Sequence, residues 1–156
     1  VNIGLELIDP PRTVRPFISR LHKMMGLGMT VKDSFVNPLS WSEHIEKAAE
    51  RFWITEIQAG NIGISDDSVV KITANGSSDV REDFFDFIDG RQHEIQCVKV
   101  NVISEEDRDN ACSIELRRNG VAKLYSETPH ILYPLIRDGL NSEIKKNKTA
   151  PNIKSS

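Results

Sequence analysis

Residues 95–103 are the longest strand candidate in the chain, and they constrain its fold more than any other segment. The apolar side chains alternate between the two faces, with Val98, Val100 and Val102 on one and Ile95, Cys97 and Ile103 on the other. Apolar residues on both faces are typical of a central strand that is covered on both sides. The segment therefore predicts a sheet in which another strand pairs with each edge of this one.

A hairpin is predicted around Asn119 and Gly120. A two-residue loop would place Leu116 opposite Lys123 and mix the two faces of the hairpin. A three-residue loop, with Gly120 in the left-handed region, keeps one face apolar and joins opposite charges. We therefore expect three cross-strand pairs: Ile114 with Leu124, Leu116 with Ala122, and Glu115 with Lys123.

Further strands and helices follow from period-two and helical spacing. Strands are predicted at 1–8, 54–59, 62–64 and 69–73, with Gly60-Asn61 separating the second from the third. Helices are predicted at 16–25, at 41–52 and from Thr128 to Gly139. The second begins with a Ser40–Glu43 capping box and buries Ile45, Ala48, Ala49 and Phe52, and the third has Thr128 as N-cap and Gly139 as its stop.

These elements indicate an α+β fold. We expect a single domain at 1–140, in which a mostly antiparallel sheet of about five to seven strands packs with N-terminal and C-terminal helices. Residues 141–156 carry mainly Lys, Asn and Ser, so a frayed polar tail is expected there. A chain of 156 residues can bury enough surface to fold without a disulfide or a metal ion.

Residues 79–90 fit either a helix or a strand. As a helix, the segment has Asp79 as N-cap and Gly90 as stop, and one apolar face made of Val80, Phe84, Phe87 and Ile88. As a strand followed by a turn at Asp89-Gly90, it would pair Phe85 with Glu94 and Phe87 with Gln92, an apolar residue with a polar one each time. The pattern favours a short helix.

The net charge of −3 conceals an uneven distribution. Residues 66–110 carry twelve acids and five bases, a net charge of −7, whereas residues 111–156 carry four acids and eight bases. A strongly acidic region repels phosphate and speeds association with a basic partner. It also occurs as a solvated face that only keeps a protein soluble, which is the commoner explanation.

Motifs that would carry chemistry are absent. Cys97 and Cys112 lie on predicted strands among apolar residues, which indicates buried structural thiols. The histidines form no zinc-binding pair, and no calcium loop surrounds the acids. We therefore expect no metal, no cofactor and no enzymatic activity, and neither a nucleic-acid nor a membrane partner, since basic stripes and long apolar runs are missing. No secretory signal is visible, which favours the cytoplasm.

An acidic α+β domain without a catalytic constellation resembles the bacterial immunity proteins that neutralise contact-dependent or polymorphic toxins. No single motif carries this resemblance. It implies an inhibitor that binds a basic toxin domain, such as a nuclease, as a monomer in a 1:1 complex. The expected contacts are seven acids and one aromatic anchor: Asp83, Asp86, Asp89, Glu105, Glu106, Asp107, Asp109 and Phe85.

Two other classes of function remain open from the sequence. One is a small enzyme with a site assembled from His93, His130 and the acidic row. The other is a scaffold or subunit whose acidic face serves solubility alone.

Overall fold

A computed structural model describes residues 7, 12–25, 35–65, 68–104, 107–125 and 132–149, with the side chains of 64, 65, 107–110, 148 and 149 excepted. The chain divides into two compact units, Val1–Asp33 and Ser34–Ser156. The predicted strand at 1–8 lies outside the described residues, apart from Leu7.

The first unit contains helix α1, Arg15–Met25. It matches the helix predicted at 16–25, where apolar residues recur at helical spacing and Pro16 falls in the first turn, the position at which proline is tolerated. None of its residues is buried.

The second unit is built on a five-stranded sheet whose strand order is β2-β1-β3-β4-β5. The strands are β1 Arg51–Ser65, β2 Ser68–Asn75, β3 Glu94–Ser104, β4 Asp107–Arg117 and β5 Ala122–Leu124. All neighbouring pairs are antiparallel. The α+β prediction is confirmed, and the segment predicted as central, now β3, is the third of the five strands.

The predicted hairpin register between β4 and β5 is confirmed in all three pairs. Gly120 has a φ of 77°, and the Arg117 N–H donates to the Val121 carbonyl at 2.9 Å to close the turn. The register follows from local chemistry, because only a glycine-like residue adopts that backbone conformation without strain.

Strand β1 corrects the prediction of two strands divided at Gly60-Asn61. The strand continues through this point with a register shift against β2 between Ala59 and Ile62. Asn61 has a φ of 55°, a left-handed conformation that asparagine tolerates better than most residues. The polar pair therefore forms an irregularity within one strand rather than a turn between two.

Helix α2, Pro38–Glu46, begins and ends earlier than predicted. The side chain of Asn37 accepts hydrogen bonds from the Leu39 and Ser40 N–H groups, and Pro38 occupies the first turn, so Asn37 rather than Ser40 is the N-cap. The predicted extension to residue 52 is wrong because Phe52 belongs to β1. Of the predicted buried stripe, only Ile45 is fully buried.

Helix α4, Leu132–Thr149, passes through Gly139, so the predicted stop there is wrong. Gly139 instead allows α4 to pack closely on α2, since a Cβ at this position would lie 2.8 Å from Trp41 Cδ1. Residues 141–149, expected to fray, are helical, and Glu143 among them is buried. The expected helix start at 128–131 lies outside the described residues, as do residues 150–156.

The core lies between one face of the sheet and three helices. Helix α2 contacts β3 and β4, α4 packs on α2, and α3, Arg81–Ile88, contacts β1. Trp41 is fully buried, and its indole N–H donates to the Ile136 carbonyl at 2.8 Å. None of the helices among the described residues is long and apolar enough to cross a membrane.

Candidate protein-binding face

Helix α3 settles the uncertain segment in favour of a helix. Its inner row is Val80, Phe84 and Ile88, spaced four residues apart and buried in the core. Asp89 ends the helix in a left-handed conformation with a φ of 50°, followed by Gly90 at 72°. Three buried anchors and a defined end hold the opposite side of the helix toward solvent.

The N-terminal end of α3 is fixed by Asp79 and Arg81 rather than by a side-chain cap at Val80. Asp79 accepts hydrogen bonds from the Arg81 N–H at 3.0 Å and the Ile54 N–H at 3.3 Å. The Arg81 guanidinium then donates to both Asp79 and Glu46. These contacts join α3 to β1 and α2, so the helix is a rigid platform.

Burial acts to raise the pKa of the Asp79 carboxyl, but the hydrogen bonds from Arg81 and from backbone N–H groups outweigh it and leave this pKa lowered. Hydrogen bonds to Glu46 and Asp79 raise the pKa of Arg81 further above its ordinary value. Asp79 and Arg81 therefore stay ionised under ordinary conditions, as a fixed structural link.

The outward side of α3 combines acids with exposed aromatic rings. Phe85 is 43% exposed and Phe87 is 61% exposed. The four carboxylates around them are also exposed. We call this set the acidic-aromatic face; its members are Glu82, Asp83, Phe85, Asp86, Phe87 and Asp89.

Phe85 is oriented by its neighbours. Its ring meets the Phe84 ring edge-on at 5.3 Å between centroids, and the His93 ring lies 6.3 Å from it. His93 also contacts Phe84 at 5.8 Å and places Nδ1 2.7 Å from the Arg91 carbonyl oxygen. Such edge-to-face contacts favour one ring orientation. Phe85 is thus held in place while part of its surface remains open to solvent.

The acids of this face differ from several described carboxylates elsewhere in the second unit. In the described part of the chain, no ion pair involves Glu82, Asp83, Asp86 or Asp89. Other carboxylates have cationic partners: Glu46 and Asp79 pair with Arg81, Glu56 with Lys99, Glu115 with Arg117, and Glu143 with Lys146. Among the described side chains, four neighbouring acids on or next to α3 therefore have no ion pair, and Glu43 of α2 is a further exposed acid for which none is described.

The predicted site residues fall into two groups. Asp83, Phe85, Asp86 and Asp89 lie together on or next to α3. Asp107 and Asp109 lie in β4, where Asp107 pairs with Ser104, but their side chains are outside the described set. Glu105 and Glu106 also lie outside it.

The Ser104–Asp107 pair lies at the end of the sheet where β1 begins, since Arg51 pairs with Ile103. Helix α3 leads toward the other end, where Glu94 pairs with Gly60. The face described on α3 therefore includes the first acidic stretch, and the contribution predicted for Glu105, Glu106, Asp107 and Asp109 stays a prediction.

Sequence reasoning missed Phe87, which was expected on the buried side of the helix. It lies on the flank of the Val80–Phe84–Ile88 row, where a ring can turn either to the core or to solvent. The four-residue spacing of that row was the available signal, because it centres the buried stripe on Phe84.

Of the groups considered for an enzyme, the structure describes His93 and the acids of α3. His93 packs against phenylalanine rings, His44 lies 4.0 Å from Glu143, and His130 is outside the described residues. Cys97 and Cys112 are buried free thiols, as predicted, and burial raises the pKa of Cys97. Among the described side chains, no three potential metal ligands cluster.

A shallow depression of about 220 Å³ lies at the β4–β5 turn, lined by Phe35, Gln96, Arg117, Arg118 and Asn119. Arg118 is stacked over Phe35 at 4.6 Å and Arg117 is paired with Glu115, so the cations lining the depression already have partners. The depression contains neither a histidine nor a member of the acidic-aromatic face.

No family model matches this chain, and no curated protein or solved structure matches it either.

Proposed function

We propose that this protein is a protein-binding inhibitor that captures a basic protein domain through the acidic-aromatic face. The observation that carries the proposal is the combination on α3 of four exposed acids without a described ion pair and two exposed phenylalanine rings. A face kept only for solubility has no need of exposed phenylalanine. In a binding face, the two kinds of residue have separate roles.

The acids account for the recognition of a cationic partner and for a fast association rate. Unpaired carboxylates attract a cationic surface over a distance of about one Debye length, roughly 8 Å at physiological ionic strength, and raise the association rate. Charged groups at the rim of an interface act mainly on this rate and on its salt dependence. The same charge repels nucleic acid, which supports a protein partner.

The phenylalanine rings account for affinity. Aromatic side chains dominate the energetics of interfaces when they enter a desolvated pocket on the partner. Phe85 is already oriented by Phe84 and His93, and α3 is fixed by Arg81, so little conformational entropy remains to be lost on binding.

A toxin domain that acts on nucleic acid is a partner of fitting chemistry. Such a domain presents cations that bind phosphates, and a row of carboxylates on a rigid helix occupies those cations in place of the phosphates. We accordingly propose an immunity-type role in the cytoplasm, in a 1:1 complex, with the basic domain encoded by the adjacent upstream gene as the partner to test.

The test measures association and dissociation rates of the full chain with that domain at low and high salt. We expect Asp83→Lys/Asp86→Lys to lower the association rate at least about tenfold at low salt. The matched control, Glu43→Lys/Asp138→Lys, reverses two exposed acids on other helices and should change the rate by less than about twofold. Phe87→Ser should act mainly on the dissociation rate. Equal effects of the two double variants would refute capture through α3.

A further inference from the structure

Helix α1 has an amphipathic pattern that the proposed function does not use. Apolar residues occupy positions 17, 18, 21, 24 and 25, which form one side of a helix. The other side and the flanks carry cations and polar residues. They are Arg15, Ser19, Arg20, His22 and Lys23.

The apolar side of α1 is only partly covered, with Ile18 and Leu21 half-buried and Phe17 exposed. Met24 is 76% exposed and Met25 is 53% exposed, and none of the residues of the helix is buried. An amphipathic helix in a folded protein normally buries this side. In the part of the chain that the structure describes, the apolar surface at Phe17, Met24 and Met25 is therefore available to a partner.

The charge around α1 is of one sign. No Asp or Glu occurs between Asp9 and Asp33, while five cations fall in that interval, at positions 12, 15, 20, 23 and 32. None of the three cations within α1 has an ion pair among the described residues. The helix therefore matches a partner that is both anionic and apolar.

We propose that α1 lies on the surface of an anionic lipid bilayer and brings the protein to it reversibly. A bilayer presents phosphates above hydrocarbon, so cations on one side of the helix and apolar side chains on the other are satisfied together. This inference concerns the first unit and does not depend on the proposed function. It differs from crossing a membrane, because the helix lies in the interface.

The small size of α1 favours a lipid surface over a protein as its binding partner. A helix of 11 residues is about 16 Å long and about 10 Å wide, so one side covers on the order of 200 Å². A stable protein interface buries about 800 Å² on each partner. A bilayer can bind so small a surface reversibly, since attraction of each cation to the anionic lipids adds to the burial of the apolar side chains.

The test is cosedimentation of the full chain with vesicles of phosphatidylcholine alone or with 30% phosphatidylserine, at low and high salt. We expect binding only to the anionic vesicles, with release at high salt. Arg20→Glu/Lys23→Glu should lower the partition coefficient at least about 30-fold, the equivalent of two lost cations. Met24→Gln should weaken binding without changing its salt dependence.

The matched control is Lys71→Glu/Arg91→Glu, which makes the same change in net charge at two exposed cations of the second unit. It should bind the anionic vesicles nearly as well as the wild type. Equal loss in both double variants would overturn the proposal, as would equal binding to neutral vesicles. Absence of vesicle binding, together with self-association that Met24→Gln abolishes, would assign α1 to a contact between copies and overturn it too.

Discussion

The Arg81 guanidinium holds the Glu46 carboxylate through two hydrogen bonds of 2.9 Å, and this pair ties α3 to α2. Both side chains are about one-third exposed, so water weakens the electrostatic attraction. The geometry is nevertheless bidentate, and the same guanidinium also bonds Asp79.

The first prediction concerns this link. Arg81→Met should lower the free energy of unfolding by about 1–3 kcal/mol, since Glu46 and Asp79 both lose the hydrogen bonds from the guanidinium. Urea unfolding followed by tryptophan fluorescence measures the change. Arg91→Met, at an exposed arginine near the other end of α3, is the control and should stay within about 0.5 kcal/mol of the wild type. A loss no larger than that of the control would contradict a structural role for the Arg81 link.

The second prediction concerns Gly139. Replacing a mid-helix glycine with alanine ordinarily stabilises a helix by about 1 kcal/mol. Here the new methyl group would lie 2.8 Å from Trp41 Cδ1 and 3.0 Å from His44 Cβ, so α2 and α4 must separate. We expect Gly139→Ala to destabilise the protein by about 1–3 kcal/mol.

The control for Gly139→Ala is Gly63→Ala, because no atom lies within 4 Å of a Cβ at position 63. It should be close to neutral in the same thermal or urea unfolding measurement. If Gly139→Ala raised the midpoint of unfolding, the close packing of α4 on Trp41 would be wrong.

The third prediction concerns the pH dependence of stability at Glu115, a buried carboxylate on the outer side of the sheet. Burial acts to raise its pKa, but hydrogen bonds from the Tyr125 hydroxyl and from Arg117 outweigh this and leave the pKa lowered. The unfolded chain therefore binds a proton at a higher pH than the folded protein does. Stability from this group is present above about pH 4.5 and is lost as the pH falls through the lowered folded value.

Glu115→Gln should accordingly flatten the dependence of the unfolding free energy on pH below about 4.5. Urea unfolding at a series of pH values between 3 and 7 measures the slope. Tyr125→Phe removes one of the hydrogen bonds to the Glu115 carboxylate and should flatten the slope by a smaller amount. An unaltered slope in Glu115→Gln would show that this carboxylate is not the group responsible.

The features that the sequence predicted correctly are those set by neighbours along the chain. The β4–β5 register follows from the alternation around Gly120, and the central place of β3 follows from apolar residues on both its faces. The features missed depend on contacts distant in sequence. Gly139 resembles a helix stop until Trp41, nearly a hundred residues earlier, is known to lie against it.

In the candidate site too, local features could be predicted from the sequence, and features that depend on distant contacts could not. Helical spacing gathers Asp83, Phe85 and Asp86 on α3, and the sequence predicted this. It could not predict which acids remain unpaired, because that depends on where Arg81 and Lys99 lie in the fold. The exposure of Phe87 was indicated only by the four-residue spacing of Val80, Phe84 and Ile88, which leaves Phe87 on the flank of the buried row.

The last prediction separates the two sides of α3. Phe84→Ala should cost about 3–5 kcal/mol of unfolding free energy, since its ring is buried in the core. Phe87→Ala, three residues on in the same helix, should cost less than about 1 kcal/mol, because most of its ring is already in water. Chemical unfolding of the two variants measures the contrast. Comparable losses would mean that Phe87 supports the core, and it could not then be free to anchor a partner.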